Sequence, residues 1–383
     1  MTPAKIDLGG TLRARDASST LAWIRPLLPR FGITRVANIT GLDRIGIPVW
    51  ICVRPLGRSL SVAQGKGLTS ELAQVSAVME SIECHHAEHV AAPDVVASYR
   101  SVRRRCDAVD PKVLQQGLRW SGYDDSRPIA WSRGTDLLTG EDALIPHVQT
   151  DLDWSRAHPD AGLFLATSTG LASGNTREEA LCHAIFEVVE RDAEWRWQNL
   201  TGNGQQGTAV DPDSVETPML RCLFDQFAAA GTWVEIWDLT SEEVGIPVYS
   251  CSIGDTNPFG SMRVFGGTGC HLSKEIALSR ALTEAAQSRL TFIAGSRDDL
   301  FPDLYEPEDD DMPRAPARRP ALDFETRRSP PLGATFAEDL ATTLGLLSAA
   351  GFRRVIAVDH TTPEFGIPVV KVVVPGAREP ESD

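Results

Sequence analysis

The chain has 383 residues, 42% hydrophobic and 23% charged, with a formal net charge of −15. That length can bury a large core, the composition is ordinary for a globular protein, and the acidic balance leaves no broad basic surface for a nucleic-acid backbone. No window approaches an uninterrupted membrane span, the first residues lack a signal-peptide core, and seven cysteines without a CxxC pair suit a reducing compartment. A cytoplasmic protein with neither nucleic-acid nor membrane partner is therefore expected.

In chain order, an amphipathic helix is expected over residues 20–31, followed by "GITRVANITGLDRIGIPVW" (32–50), which reads as two strands and a turn. A helix opens at "GLTSELAQVSAVMESIEC" (67–84) behind a Thr–Ser N-cap signal. It runs into "ECHHAEH" (83–89), whose His85 and His89 have an i, i+4 spacing seen in zinc sites. No second ligand cluster accompanies them, so a helix end with capping or exposed histidines is the preferred reading. Residues 89–160 are less regular and are expected to form insertions around a rim. A second helix follows at "GNTREEALCHAIFEVVERD" (174–192), then "AEWRWQ" (193–198), whose tryptophans suit packing or a peptide groove better than base stacking. A helix over 219–230 precedes "GTWVEIWDLTSEEVGIPVY" (231–249), and "CHLSKEIALSRALTEAAQSR" (270–289) gives a third polar-capped helix. Residues 297–332 are rich in proline and in charges of both signs, and read as an exposed connection. A helix over 336–350 and "GFRRVIAVDHTTPEFGIPVV" (351–370) close the series.

Two patterns thus recur three times each. One is helix, β-rich stretch, turn, Gly-Ile-Pro-Val and a second β-rich stretch. The other is a polar turn, a Ser or Thr cap and an alanine-striped helix. Together they predict an α/β (α+β) architecture of related strand–strand–helix units, with their strands sharing a sheet. Aligning the three capped helices stacks Ser76, His183 and Arg280 in one column. The next columns hold Glu80, Glu187 and Glu284, then Glu83, Glu190 and Gln287. The i, i+3 spacing puts each pair on one helix face. Glu80 and Glu83 stand among Val78, Met79 and Ile82, and Glu187 and Glu190 among Phe186, Val188 and Val189. Carboxylates beside apolar residues need a counter-charge. Magnesium, an oxygen-seeking cation commonly completed by nucleotide phosphates, supplies one. Asn175 and Glu179 lie at the mouth of the second helix, where backbone N–H groups favour anions. On the third helix Gln287, Arg280 and Arg289 suit phosphate oxygens better than a cation. Lys66 in "GKG" lacks a P-loop frame but begins the turn into the first carboxylate helix. Cys182 and Cys270 read as small core residues and not as nucleophiles.

"SAVMESIE" (76–83), "GNTREEALCHAIFEVVERDA" (174–193) and "RALTEAAQSR" (280–289) resemble the three nucleotide-site motifs of the YcaO family. The resemblance extends over roughly 10–376 and implies one YcaO-type catalytic domain across 1–383, built around a shared ATP and magnesium site. It implies that ATP phosphorylates the oxygen of a peptide backbone amide while a nucleophile adds to the carbon. By motif, Glu80, Glu83, Glu187 and Glu190 would be magnesium ligands, with Glu179 nearby. Asn175, Arg191 and one of Arg280 or Arg289 would meet nucleotide or phosphates, with Ser76, Lys66 and Gln287 further candidates for that side. Arg13 and Thr20 in "GTLRARDASST" match a basic residue and a hydroxyl that the family carries early in the chain. No catalytic acid or base is assigned.

The sequence departs from the family pattern at Cys84, where an arginine usually follows the glutamate, and at Gln287. Its ending, "VVVPGAREPESD", lacks alternating prolines and looks more like the branch that works with a TfuA partner, which is associated with thioamide formation. The expected partners are a peptide or protein substrate, a TfuA-like protein and a second copy of the chain. An azoline-forming cyclodehydratase acting on Cys, Ser or Thr is the enzymatic alternative. A non-catalytic scaffold is the other, disfavoured because the acids are kept.

Overall fold

The computed structural model describes residues 3–201, 204–256, 263–305 and 321–380. A small hairpin, β1 (Ile6–Asp7) and β2 (Leu12–Arg13), leads into α1 (Ala17–Ile24). This helix passes into a 3₁₀ segment, Arg25–Phe31, because Pro26 and Pro29 remove the N–H donors an α-helix would use. The expected helix over 20–31 is thus split. Next come β3 (Arg35–Asn38), β4 (Val49–Val53) and β5 (Val62–Lys66), an antiparallel three-stranded sheet, and then α2 (Ser70–Ala87).

The stretch expected as a rim insertion is more ordered than its composition suggests. It contains β6 (Val95–Ser98), the short helix α3 (Tyr99–Val102), β7 (Pro128–Asp136) and β8 (Asp142–Pro146). These strands are not peripheral. Trp131, Ile129, Ile145 and Val109 are fully buried in a cluster with Ile356 and Val358. The chain then runs through β9 (Leu171–Ser173) into α4 (Arg177–Gln198). A two-residue strand β10 (Ala209–Val210) precedes α5 (Pro218–Ala229), β11 (Thr232–Asp238), β12 (Val248–Asp255), β13 (Phe265–Cys270) and α6 (Lys274–Ala294). Finally come α7 (Phe336–Ala349), β14 (Ile356–Asp359) and β15 (Val369–Val373).

The expectation that the repeated units share a sheet is corrected: their strands lie in three. One is β3-β4-β5, one is β10-β11-β12-β13, and one is β6-β7-β14-β15-β9 with β8 also on β7. Each unit has a third strand that the strand–strand–helix reading left out. β5 leads into α2 and β13 into α6. In the third unit β14 and β15 are completed by β9, which leads into α4 but lies about 200 residues earlier in the chain. The third unit is therefore permuted, and its final strand and helix are made before its first helix. The Pro/charge-rich connection is only partly described, since 306–320 fall outside the described residues. Its later portion is anchored: Phe324 is fully buried, and its carbonyl accepts from Lys274 Nζ at 3.0 Å.

The three capped helices start as their sequences predict. Thr69, Thr176 and Ser273 each accept a hydrogen bond from the backbone N–H three residues on, at 3.2, 3.2 and 3.3 Å. Each helix lies across its unit's third strand, and glycine permits the approach in two of them. A Cβ on Gly65 would collide with the backbone of Ala73 and Ala77, and one on Gly267 with that of Ala281 and Ala285. Helix backbone rests directly on strand backbone there, which fixes where the polar faces of α2 and α6 point.

Candidate active site

The polar faces of α2, α4 and α6 carry the acids into one electrostatic cluster. Glu80 on α2 interacts with Lys66, Arg297 and Glu284; Glu83 interacts with Glu80 and Glu187; Glu190 interacts with Arg191, Glu284, Arg280 and Lys66. Burial pushes the carboxyl of Glu80 up to about 7, that of Glu83 up to about 8 and that of Glu187 up to about 7. Burial raises Glu190 as well. Neighbouring acids add to the effect at Glu83, Glu187 and Glu190, because like charges disfavour ionisation.

Backbone and side-chain donors orient these acids. Glu83 accepts from Ser173 N–H at 2.8 Å and from its hydroxyl at 2.6 Å. Glu187 accepts from Gly170 N–H at 3.1 Å. Glu190 is 3% exposed, stands 3.4 Å from Arg191, and keeps one buried oxygen, Oε2, with no partner. Arg280 has a buried Nε without a partner. Orphaned buried groups of this kind are costly unless a ligand completes them. A carboxylate oxygen seeking positive charge and a guanidinium seeking negative charge fit a cation and a phosphate. No three of these carboxylates bring ligand atoms within 4.8 Å of one another; among the described residues only His147, Asp151 and His158 do so. Wider spacing suits magnesium, which keeps several waters and takes few protein ligands. The His147 group is already satisfied by the chain itself: Arg156 lies 2.9 Å from Asp151 and His158 Nδ1 accepts from Asp160 N–H at 3.1 Å.

The residues singled out early in the chain gather at the start of α4. Arg13 reaches His183 at 2.6 Å and Glu179 at 3.6 Å. Glu179 is 1% exposed and accepts from the backbone N–H groups of Ala14 and Asn175 at 3.2 and 3.1 Å. Thr20 donates to the Asn175 side chain at 2.9 Å. Arg191 pairs with Glu194 at 2.7 Å. Lys66 is paired with Glu284. Burial opposes ionisation of Glu284, but Lys66 and Arg191 outweigh it and hold its carboxyl below the usual range.

Glu284 is the acid whose role the sequence reading left unassigned, although the helix alignment put it in the column of Glu80 and Glu187. His183, in the column of Ser76 and Arg280, is another. Gly170, Ser173 and Lys371 carried no sequence signal, since they reach the acids only through the pairing of β9 with β15. Of the two arginines left open, Arg280 faces the acids. Arg289 is engaged by Asp255 at 3.2 Å and Asp43 at 3.5 Å and lies over the Phe265 ring. Ser76 and Gln287 are half-buried on α2 and α6. His85 and His89 stack on each other with centroids 4.3 Å apart, and His89 Nδ1 pairs with the His85 carbonyl, as the helix-end reading expects. Cys182 and Cys270 are buried, and burial pushes both thiols up, so neither is an activated nucleophile.

The sequence model of the YcaO cyclodehydratase family, described as ATP- and Mg2+-binding, matches residues 64–378. A protein encoded in the tfuA 3' region of Rhizobium leguminosarum bv. trifolii, itself uncharacterized, is 36% identical, over 95% of this chain and 88% of that protein. An uncharacterized protein of Methanothermobacter thermautotrophicus is 33% identical over 94% and 93%. Among solved structures, YcaO from Methanopyrus kandleri bound with AMPPCP and Mg2+ superposes with a TM-score of 0.75 at 25% identity, covering 98% of this chain and 95% of that one. A heterocyclase in complex with substrate and cofactor gives 0.80 at 21% identity, covering 99% of this chain; the present chain spans about half of it, 54%. No described helix is long and apolar enough to cross a membrane. With three carboxylate-bearing helices in register and a family match across most of its length, the chain belongs to the YcaO family, whose cofactors are ATP and Mg2+.

Proposed function

We propose that this chain uses ATP to activate a peptide backbone amide, and that a sulfide equivalent supplied with a TfuA-like partner replaces the amide oxygen to give a thioamide. The observation that carries the ATP half is the acid cluster of α2 and α4, half-buried at Glu80, Glu83 and Glu187 and buried at Glu190, with an orphaned oxygen on Glu190 and a partnerless Nε on Arg280, two side chains that interact electrostatically. The sulfur half is supported by the tfuA-region relative. An amide carbonyl is a poor electrophile because the nitrogen lone pair is delocalised into it. Transfer of the γ-phosphoryl group to the amide oxygen turns that oxygen into a leaving group. Hydrosulfide adds to the carbon, the C–O bond breaks, and the balance is amide, ATP and hydrosulfide in, thioamide, ADP and phosphate out.

Magnesium, when bound, neutralises triphosphate charge and keeps it aligned for transfer. Glu80, Glu83, Glu187 and Glu190 would hold the ion. Arg280, Arg191 and Lys66 would take phosphate oxygens, Lys66 by leaving Glu284. Arg13, Thr20, Asn175 and Glu179 would bind nucleotide at the start of α4, with Ser76 and Gln287 as further contacts. Arg289 is held by Asp255 and Asp43 and would contribute through its buried Nη1, which has no partner. All of this proceeds within one catalytic domain.

The second reading, an azoline-forming cyclodehydratase, is favoured by the name of the family model and by the heterocyclase likeness. Candidate peptides incubated with the protein, a TfuA-like partner, ATP, Mg2+ and sulfide, and read by intact mass, separate the two. Thioamidation makes the peptide heavier by the difference between sulfur and oxygen, and only when sulfide is present. A product lighter by one water, formed equally without sulfide, installs the cyclodehydratase and removes thioamidation.

A further inference from the structure

The strand that orients two of the cluster acids is short and lies where the chain enters α4. From Gly170 to Ser173 it presents an N–H to Glu187 and an N–H plus a hydroxyl to Glu83. Such a segment needs fastening, because three residues of β9 pair only with β15. The fastening is a buried amine. Lys371 on β15 is 4% exposed, and its Nζ donates to the carbonyls of Thr167 at 2.6 Å and Thr169 at 2.7 Å. Its backbone partner across the ladder is Leu171. Gly170 completes the arrangement with φ of 80°, and a Cβ there would run into the Val372 carbonyl. On the other side the Thr167 and Thr169 hydroxyls donate to Glu379, whose backbone is held by both ends of the Gln115 side chain at 2.8 Å.

A lysine at an interior position of a central strand is expensive to bury, and a simple core role would be served by valine or isoleucine, as at its neighbours Val370 and Val372. Glu187 and Glu379 are the acidic groups facing its amine. One of the two acceptors, the Thr169 carbonyl, lies in the same planar peptide group as the Gly170 N–H, so holding it sets the direction of that N–H.

We propose that Lys371 is a positioning residue for the acid cluster: it pins residues 167–169, and through them aims the Gly170 and Ser173 donors that orient Glu187 and Glu83. This rests on the reading of those acids as magnesium ligands. Partners at one remove from a metal tune affinity by about 10–100-fold when lost, so the effect should appear in metal dependence before it appears in stability.

The test compares wild type with Lys371→Met, which keeps the stem, and Lys371→Arg, which keeps charge and donors. Binding of AMPPCP is measured by calorimetry as magnesium is varied, so that peptide chemistry is not involved. Lys371→Met should raise the magnesium concentration for half-maximal nucleotide binding by about tenfold or more, with nucleotide stoichiometry at saturating magnesium unchanged and Lys371→Arg recovering part of the loss. Hydrogen exchange serves as the second readout and tolerates a destabilised variant. The Gly170 and Ser173 amides should exchange faster in Lys371→Met, relative to the amides in the middle of α4. Wild-type magnesium dependence in Lys371→Met, or unchanged protection at Gly170 and Ser173, overturns the inference while leaving the site reading intact. Magnesium-independent nucleotide binding by the wild type overturns both.

Discussion

At the residue scale the decisive feature is four glutamates whose burial costs more than their hydrogen bonds return. Glu187→Gln and Glu190→Gln keep shape and remove a charge that, without a bound cation, is resisted by its surroundings. Each variant is expected to melt at or above the wild-type temperature in the absence of metal, because carboxylate repulsion is relieved. ATP-dependent peptide modification at limiting magnesium should fall by at least about 100-fold, since even outer contacts of a metal site cost about 10–100-fold. Full turnover in both variants would remove these residues from the metal site. Arg280 offers a contrast, since its unpartnered Nε awaits an anion. Arg280→Met should weaken AMPPCP binding and leave the melting temperature without nucleotide within a few degrees, which a differential scanning measurement with and without ligand reads directly.

At the element scale, function depends on how closely a helix lies on its third strand. Gly65 and Gly267 set that distance for α2 and α6. An added methyl at either would meet main chain, which cannot rotate away. Gly65→Ala is expected to destabilise by about 1–3 kcal/mol, the usual cost of overpacking, and also to weaken nucleotide binding by moving Glu80 and Glu83. Denaturant titration together with binding checks this; unchanged stability would mean the helix can lift without penalty. The caps act more simply. Thr176→Ala removes the acceptor for Glu179 N–H at the start of α4 and should cost about 1 kcal/mol, measurable by the same titration.

At the scale of the whole molecule, the acid cluster makes stability depend on pH and metal together. Glu80, Glu83 and Glu187 have carboxyls raised from 4.5 to about 7, 8 and 7 in the folded state. The folded protein then binds more protons than the unfolded chain between those values, so stability falls as pH rises through them. His85 and His360, pushed down by burial to about 4 from 6.5, act in the opposite direction below 6.5. Lys371, pushed down by burial from 10.5 to about 8, also acts in the opposite direction as pH 8 is approached, so the carboxyl slope is read between pH 6.5 and 8, most steeply in the lower part of that window. The metal-free protein should lose melting temperature across it, and magnesium with AMPPCP should flatten the slope. Nucleotide without magnesium should do neither. Equal stabilisation by nucleotide with and without magnesium would contradict a metal-bridged site.

The sequence by itself determined the units and their chemistry. Periodicity and caps located α2, α4 and α6. The repeated Gly-Ile-Pro-Val marked three strand pairs, and the column alignment showed that acids recur on one face of each helix. These features are local, and local patterns survive without knowledge of the fold. The same locality explains the errors. Two prolines broke the helix after Ile24, and within 89–160 the long strand β7 takes one of its partners, β14, from more than 200 residues away, although β6 and β8 pair with β7 itself. Tertiary structure decided which units sit in which sheet, that the third unit is completed by β9 and α4 from earlier in the chain, and that Arg280 faces the acids while Arg289 is bound by Asp43 and Asp255. It also decided that Glu284 joins the cluster and that Lys371, unremarkable in "VVKVVV", stands behind the strand that holds Glu83 and Glu187. Each of these is a relation between residues far apart in the chain, and only packing, with its demand that every buried charge and donor find a partner, selects one such relation from the many a sequence allows.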